Sequence, residues 1–211
     1  MEKNGLLIVI SGFSGAGKGT LVKALLRKYD NYALSISMTT RAPREGERDG
    51  VEYFFTTKER FEETIQRGGL IEYAPYCGNY YGTPRDYVEE QMALGKNVIL
   101  EIEIQGALKI KKKFPESLLI FVTPPSAGEL KRRLEGRGTE SAEMIAKRLA
   151  RAAEESEGIE AYDYIVVNDD LDTCVEELHR LAGAALRAPV RSQKLIGEIR
   201  EELQGFQKGA D

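Results

Sequence analysis

Gly12-Phe13-Ser14-Gly15-Ala16-Gly17-Lys18-Gly19-Thr20 is the stretch around which this 211-residue chain is arranged. An apolar run, Leu6-Leu7-Ile8-Val9-Ile10, precedes it and reads as a buried strand. Leu21, Val22, Leu25 and Leu26 follow at spacings that put them on one face of a helix. Glycines between strand and helix let successive backbone N–H groups turn inward without Cβ clashes, which makes a cradle for phosphate oxygens. The helix N-terminus adds its positive dipole end, and Lys18 adds a mobile point charge. In that setting the P-loop pattern carries a mechanism rather than a coincidence of letters. A glycine-rich cap on a strand–helix junction would explain the glycines, but not a lysine facing into the turn. Gly19 stands where a hydroxyl residue usually meets magnesium, and Thr20 comes one place later. Magnesium is therefore expected on phosphates and water in the Gly19/Thr20 region, with no direct protein ligand.

The bulk properties narrow the class. Hydrophobic residues make up 42% and charged residues 30%, the balance of a globular protein with a real core. A net charge of −4 and a pI near 5.4 argue against a general nucleic-acid or membrane binder. Cys77 and Cys174 lack metal-ligand spacing and read as free thiols in a reducing compartment. No apolar run reaches 18 residues and Met1-Glu2-Lys3-Asn4-Gly5 has no signal-peptide pattern, so a cytoplasmic protein is expected. With His179 as its one histidine, the chain is a poor candidate for histidine-based catalysis.

Beyond the first helix, Ala33 to Met38 alternates like a half-buried strand. Thr39-Thr40-Arg41-Ala42-Pro43-Arg44 then opens a polar loop. Either arginine alone would be a solvated charge, but two straddling a proline near a P-loop suit a second phosphate group. Val51 to Phe55 predicts a strand, and Thr56-Thr57-Lys58-Glu59 a capping box before a helix buried through Phe61 and Ile65. Leu70 to Tyr73 predicts a short strand, and Gly78-Asn79-Tyr80-Tyr81-Gly82 a turn. Thr83, before Pro84, suits a helix N-cap for the helix that ends at Gly95.

Val98 to Ile104 predicts a strand with Glu101 and Glu103 near its C-terminal end, where ligands bind in open α/β sheets. A salt bridge to a neighbouring lysine explains one of them equally well. Leu118 to Val122 is another strand, and Ser126 to Glu129 a second capping box. Glu135-Gly136-Arg137-Gly138-Thr139 places an arginine between glycine hinges. The next helix, Ser141 to Glu157, carries Ile145, Leu149 and Ala153 on one face, with Arg148 and Arg151 off it. A mobile lid over phosphates and a surface hairpin whose arginines pair with Glu140, Glu143 and Glu155 fit that spacing equally. Tyr164 to Asn168 reads as a last strand, Leu171 to Ala185 as a helix. Beyond Pro189, Leu195, Ile196, Ile199 and Leu203 keep helical spacing in a tail of undecided role.

As a set, Ser11 to Thr20, Ser37 to Arg44, Gly78 to Thr83, Leu100 to Gly106, Glu135 to Thr139 and Val167 to Asp170 strongly resemble the guanylate kinase family. The resemblance runs from about Gly5 to Leu186. Phe13 stands where proline is common, Tyr73 where tryptophan is common, and Glu103 where aspartate is usual. It implies an α/β P-loop three-layer fold: a parallel core sheet, an inserted mixed α+β lobe for the nucleoside monophosphate, and a helical lid. The implied divisions are a core of residues 1–36, 88–125 and 152–190, a GMP-binding lobe of 37–87, a lid of 126–151 and a tail of 191–211. The implied reaction is phosphoryl transfer from ATP to GMP, and by extension dGMP, with magnesium, in purine metabolism. ATP would take the P-loop, residues Gly12 to Thr20, with Asn168 and Asp169 near its adenine. GMP would take Ser37, Arg41, Arg44, Tyr53, Glu72, Tyr81, Thr83, Glu101 and Glu103. Lys18, Arg41, Arg137 and Arg148 would carry the catalytic charge. ATP and GMP are the implied partners, with no nucleic acid and no membrane; the oligomeric state is open.

Other readings have their own discriminators. A scaffold-type binding module of the same fold would have a degraded P-loop, whereas Lys18 and its glycines are intact. A kinase for AMP or a pyrimidine nucleotide would differ at the base pocket, above all at Glu72. A regulatory NTPase would need a water-positioning residue that the sequence does not offer.

Overall fold

The computed structural model describes residues 4–76, 78–136 and 141–208. The first strand, β1 (Leu7–Gly12), lies at the centre of a five-stranded parallel sheet. It is flanked by β7 (Asn97–Glu101) and β8 (Leu118–Thr123), then by β2 (Tyr32–Leu34) and β9 (Tyr164–Val167), in the order β2-β7-β1-β8-β9. The three central strands, β1, β7 and β8, are apolar on both faces because both faces are covered, whereas Tyr164, Ile165 and Val167 of the edge strand β9 are exposed. Leu6, Ile8 and Ile10 pack with Ile99, Ile120 and Val122 beneath α1 (Lys18–Lys28) and α7 (Leu171–Ala185). Leu7 and Val9 pack with Val98, Leu100 and Leu119 on the other side, against α3 (Arg85–Ala93) and α4 (Ile104–Lys113). The predicted P-loop helix is α1, with Leu21, Val22 and Leu25 buried. His179 is half-buried at the edge of the core: its ring stacks on Tyr29 at 3.7 Å, and the Tyr32 hydroxyl lies 2.9 Å from its Nδ1.

A second, four-stranded sheet is mixed, in the order β4-β3-β6-β5. It comprises β3 (Met38–Thr39), β4 (Phe54–Phe55), β5 (Leu70–Tyr76) and β6 (Asn79–Pro84), with α2 (Lys58–Gln66) packed through Phe61. The structure corrects the single strand expected over Ala33 to Met38. Leu34 ends β2 beside Ile99 of the core sheet, and Met38 begins β3 beside Gly82 of the second. Alternation persists across that crossing only because each half faces a different layer.

Other boundaries move for local reasons. The strand expected from Val51 is only Phe54–Phe55, because Val51 and Glu52 form a turn on the Arg48 carbonyl. The expected turn at Gly78 to Gly82 is a hairpin: Gly78, at φ 77°, makes the bend, and both tyrosines lie in β6. Thr57, not Thr56, caps α2 by accepting the Arg60 N–H. Pro84, not Thr83, stands at the N-cap of α3. The strand through Glu101 stops there, and Glu103 becomes the N-cap of α4, a helix absent from the sequence reading. The remaining helices are α5 (Ala127–Glu135), capped by Ser126, α6 (Ala142–Ser156), capped by Ser141, and α8 (Gln193–Lys208). In α6 the buried alanine is Ala152 rather than Ala153. Leu130, Leu134 and Ala152 form a small core with Phe13, which joins α5 and α6 to the P-loop.

Candidate active site

The glycine-rich turn is shaped by close packing. Gly12, at φ +150°, runs so near β8 that a Cβ there would meet the Val122 carbonyl oxygen at 2.0 Å. Gly17, at φ +88°, leaves 2.5 Å between such a Cβ and Asn168 Nδ2. Both positions therefore require glycine. Lys18 folds its ammonium back over the loop, donating to the carbonyls of Gly12 at 2.7 Å and Phe13 at 3.1 Å. Arg148 reaches from α6 to hydrogen-bond the Ser14 hydroxyl. At the mouth of the sheet the Ser11 hydroxyl donates to the Ile102 carbonyl at 2.7 Å, tying the ends of β1 and β7 together.

These groups line a cavity of about 460 Å³ whose wall includes Gly12, Ser14, Lys18, Glu101, Glu103 and Arg148. Arg151 crosses it, donating to Glu103 at 2.7 Å and to Glu155 at 3.1 Å. The salt-bridge alternative for the two strand-end glutamates thus holds for Glu103, although its partner is an arginine of α6. Arg151 and Glu155 also match the hairpin reading, whereas Arg148 bonds to the P-loop; Glu143 pairs with Lys147, and Arg137 and Glu140 lie outside the described residues.

A second cavity of about 450 Å³ lies between the sheets, lined by Ser37, Arg41, Arg44, Tyr53, Glu72 and Tyr81 on one side and by Glu101 and Glu103 on the other. Glu47, unnoticed in the sequence, organises its arginine side. Its carboxylate oxygens both lie 2.9 Å from Arg41 Nη2, and Oε2 also accepts the Arg44 N–H at 2.8 Å. That backbone bond, with the arginine charges, holds the Glu47 carboxyl below its ordinary pKa. The Arg41 guanidinium lies over the Tyr53 ring at 5.3 Å, and Tyr53 meets Tyr81 edge to face at 5.9 Å. The motif near Pro43 contained the signal for Glu47: a carboxylate three residues past the second arginine.

Glu72 and Thr83 form the other end of this cavity. Thr83, 1% exposed, donates its hydroxyl to Glu72 Oε1 at 2.8 Å, so two of the residues that the resemblance gives to GMP meet directly. Burial pushes the Glu72 pKa upward, against the Thr83 hydrogen bond and the Lys109 charge. Asn168 is likewise taken up by the scaffold: buried, it donates Nδ2 to the Ala16 carbonyl at 2.8 Å, while Asp169 is exposed. Thr20 is exposed on α1. Among the described residues no group of three acidic, histidine or cysteine side chains could hold a metal, and no helix is long and apolar enough to cross a membrane.

A family model described as guanylate kinase matches residues 4–185. The chain is 47% identical over 208 residues to a guanylate kinase of Listeria monocytogenes serotype 4b (strain F2365), covering 98% of this chain and 100% of that protein. A guanylate kinase of Desulfitobacterium hafniense (strain Y51) is 54% identical over 179 residues, 84% of this chain and 90% of the relative. Among solved structures, guanylate kinase from Anaplasma phagocytophilum aligns with a TM-score of 0.69 at 34% identity, over 89% of both chains.

Proposed function

Because the chain belongs to the guanylate kinase family and phosphorylates GMP from ATP, we propose the following division of that work among its residues. ATP lays its phosphates in the cradle of residues 12–20, and Lys18 leaves the Gly12 and Phe13 carbonyls for them. Arg148, with Arg137, adds charge from the lid of residues 126–151. GMP enters the lobe of residues 37–87, where its phosphate displaces Glu47 from Arg41 and gains Arg44, Tyr53 and Tyr81. An oxygen of that phosphate then attacks the γ-phosphorus as the bond to ADP breaks. A loose transition state of this kind is helped chiefly by positioning and by distributed positive charge. The observation that carries this reading is the shared wall: Glu101 and Glu103 line both cavities, so donor and acceptor meet across one strand end.

The residues fit magnesium held mainly by phosphates and water. Glu101 oxygens lie 3.9 and 4.0 Å from where a Cβ on Gly19 would stand, one carboxylate beside the P-loop. Magnesium commonly keeps several waters and uses one or two carboxylates with substrate phosphates. When bound it supplies neutralisation of the donor phosphates' charge. Glu101 would orient its water.

Glu72 chooses the base. Its ionised carboxylate accepts from the guanine ring N–H and the 2-amino group together, while Ser37 donates to the guanine carbonyl. Adenine offers a lone pair and a C–H at the first two positions. dGMP is accepted on the same base contacts. Cysteine usage and net charge support a cytoplasmic enzyme without a nucleic-acid partner. Glu72→Gln replaces an acceptor with a donor, at about 1.5–3 kcal/mol per charged hydrogen bond lost. In a coupled assay of ADP formation, GMP kcat/KM should fall roughly ten- to several-hundred-fold, with the KM for ATP unchanged. Retention of wild-type GMP efficiency would return Glu72 to a structural role.

A further inference from the structure

Glu72 has two oxygens with different neighbours. Oε1 takes the Thr83 hydroxyl, and Oε2 faces the first turn of α4, where a Cβ on Gly106 would stand 3.6 Å from it. Lys109 follows Gly106 by three residues, on the same helix face, and lines the same cavity as Glu72. One turn further, Lys113 Nζ donates to the Ile71 carbonyl at 3.3 Å, so this face of α4 lies along β5 beside Glu72. The other charges around the cavity sit elsewhere: Arg41, Arg44 and Glu47 on the phosphate side, Glu101 and Glu103 at the end of β7. Tyr53 on the arginine side, Tyr73 of β5 and Tyr81 of β6 are the remaining titratable groups of the lining. Lys109 is the cation whose charge bears on Glu72.

We propose that Lys109 is a specificity-determining positioning residue, whose ammonium keeps Glu72 ionised and so sets the lowest pH at which guanine is chosen over adenine. This rests on the assignment of the base to Glu72. Only the ionised carboxylate accepts both guanine donors; the protonated form turns one oxygen into a donor, which opposes a guanine N–H and suits the bare ring nitrogen of adenine. Desolvation works towards protonation; the Thr83 hydrogen bond opposes it first, and the charge of Lys109, on the helix face beside Glu72, adds to that opposition.

The test is kcat/KM for GMP and for AMP, at saturating ATP, from about pH 5 to about pH 8, spanning the range into which a buried carboxylate is raised. Lys109→Met keeps an apolar stem and removes the charge. Its acid limb for GMP should move up by on the order of one pH unit, the size of a nearby opposite charge's effect, and its preference for GMP over AMP should weaken on the acid side. Lys109→Arg should restore the wild-type limb. A Lys109→Met enzyme whose GMP efficiency changes equally at every pH, or not at all, overturns the proposal. Glu72→Gln separates the two assignments. The ratio of GMP to AMP efficiency cancels the ionisation of the acceptor phosphate, which both substrates share. If the acid-side fall in that ratio persists in Glu72→Gln, the base is not read by Glu72; if it vanishes there yet stays in place in Lys109→Met, only the role of Lys109 fails.

Discussion

At Asn168 a single side chain holds the P-loop by bonding to its backbone. Its side-chain amide donates to the Ala16 carbonyl and fills the space that Gly17 leaves, while the backbone carbonyl of Asn168 accepts from Arg133 Nη2 at 2.9 Å. The family resemblance implies a place near the adenine for Asn168, and in the structure its side-chain donor is bonded to the loop. Asn168→Ala orphans a buried carbonyl, a cost of roughly 1–3 kcal/mol. The expected result is a lower Tm together with a higher KM for ATP, while the KM for GMP stays put. A variant with a raised KM for ATP and an unchanged Tm would mean that Asn168 contacts the nucleotide and does not brace the loop.

At the level of helices, the caps explain which boundaries can be read. Ser126 accepts the Glu129 N–H at 3.1 Å, and Glu129 then clamps Arg132 at 2.7 Å and Arg133 at 2.6 Å. Those arginine hydrogen bonds hold its carboxyl down at about 2, against an ordinary value of 4.5. Its contribution to stability is thus fully present above the ordinary value and is lost as pH falls towards about 2. Thermal melts of Glu129→Gln should show a Tm deficit near neutrality that closes as the pH drops through that window. A deficit independent of pH would assign the effect to packing instead. Helix α4 has no such signature. Its N-cap, Glu103, makes no side-chain capping bond, and only Ile102 and Glu103 separate it from β7. An apolar strand running into Ile104 therefore hides the turn, and with α4 unseen Lys109 and Gly106 had no visible connection to Glu72.

Across the whole molecule the catalytic parts depend on the core sheet, and the last helix does not. Arg191 anchors the chain by donating to the carbonyls of Asn4 and Gly5, both at 2.9 Å. Past that anchor, α8 leaves Leu195, Ile199, Leu203 and Phe206 at 44–77% exposure. Little apolar surface is removed from water there, so little stability is gained. A chain ending at Ser192 should keep its kcat/KM for GMP and melt within about 2–4 °C of the full chain, the shift expected for about 1 kcal/mol at this size. A much larger loss would show that α8 supports the core.

The apolar runs of β1, β7 and β8, the P-loop glycines, Lys18 and the starts of α5, α6 and α7 are legible from residues alone, because each rests on contacts within a few positions or on a pattern that burial enforces. The acceptor arginines and Glu72 are legible only as members of a family pattern, since a lone glutamate in a short strand says nothing of its surroundings. Pairings between distant segments belong to the tertiary structure: Thr83 with Glu72, Arg151 with Glu103, Asn168 with Ala16, Gly106 and Lys109 beside β5. Each depends on how one layer is laid against another, and the energy of such contacts comes from desolvation and packing that no local window of sequence records.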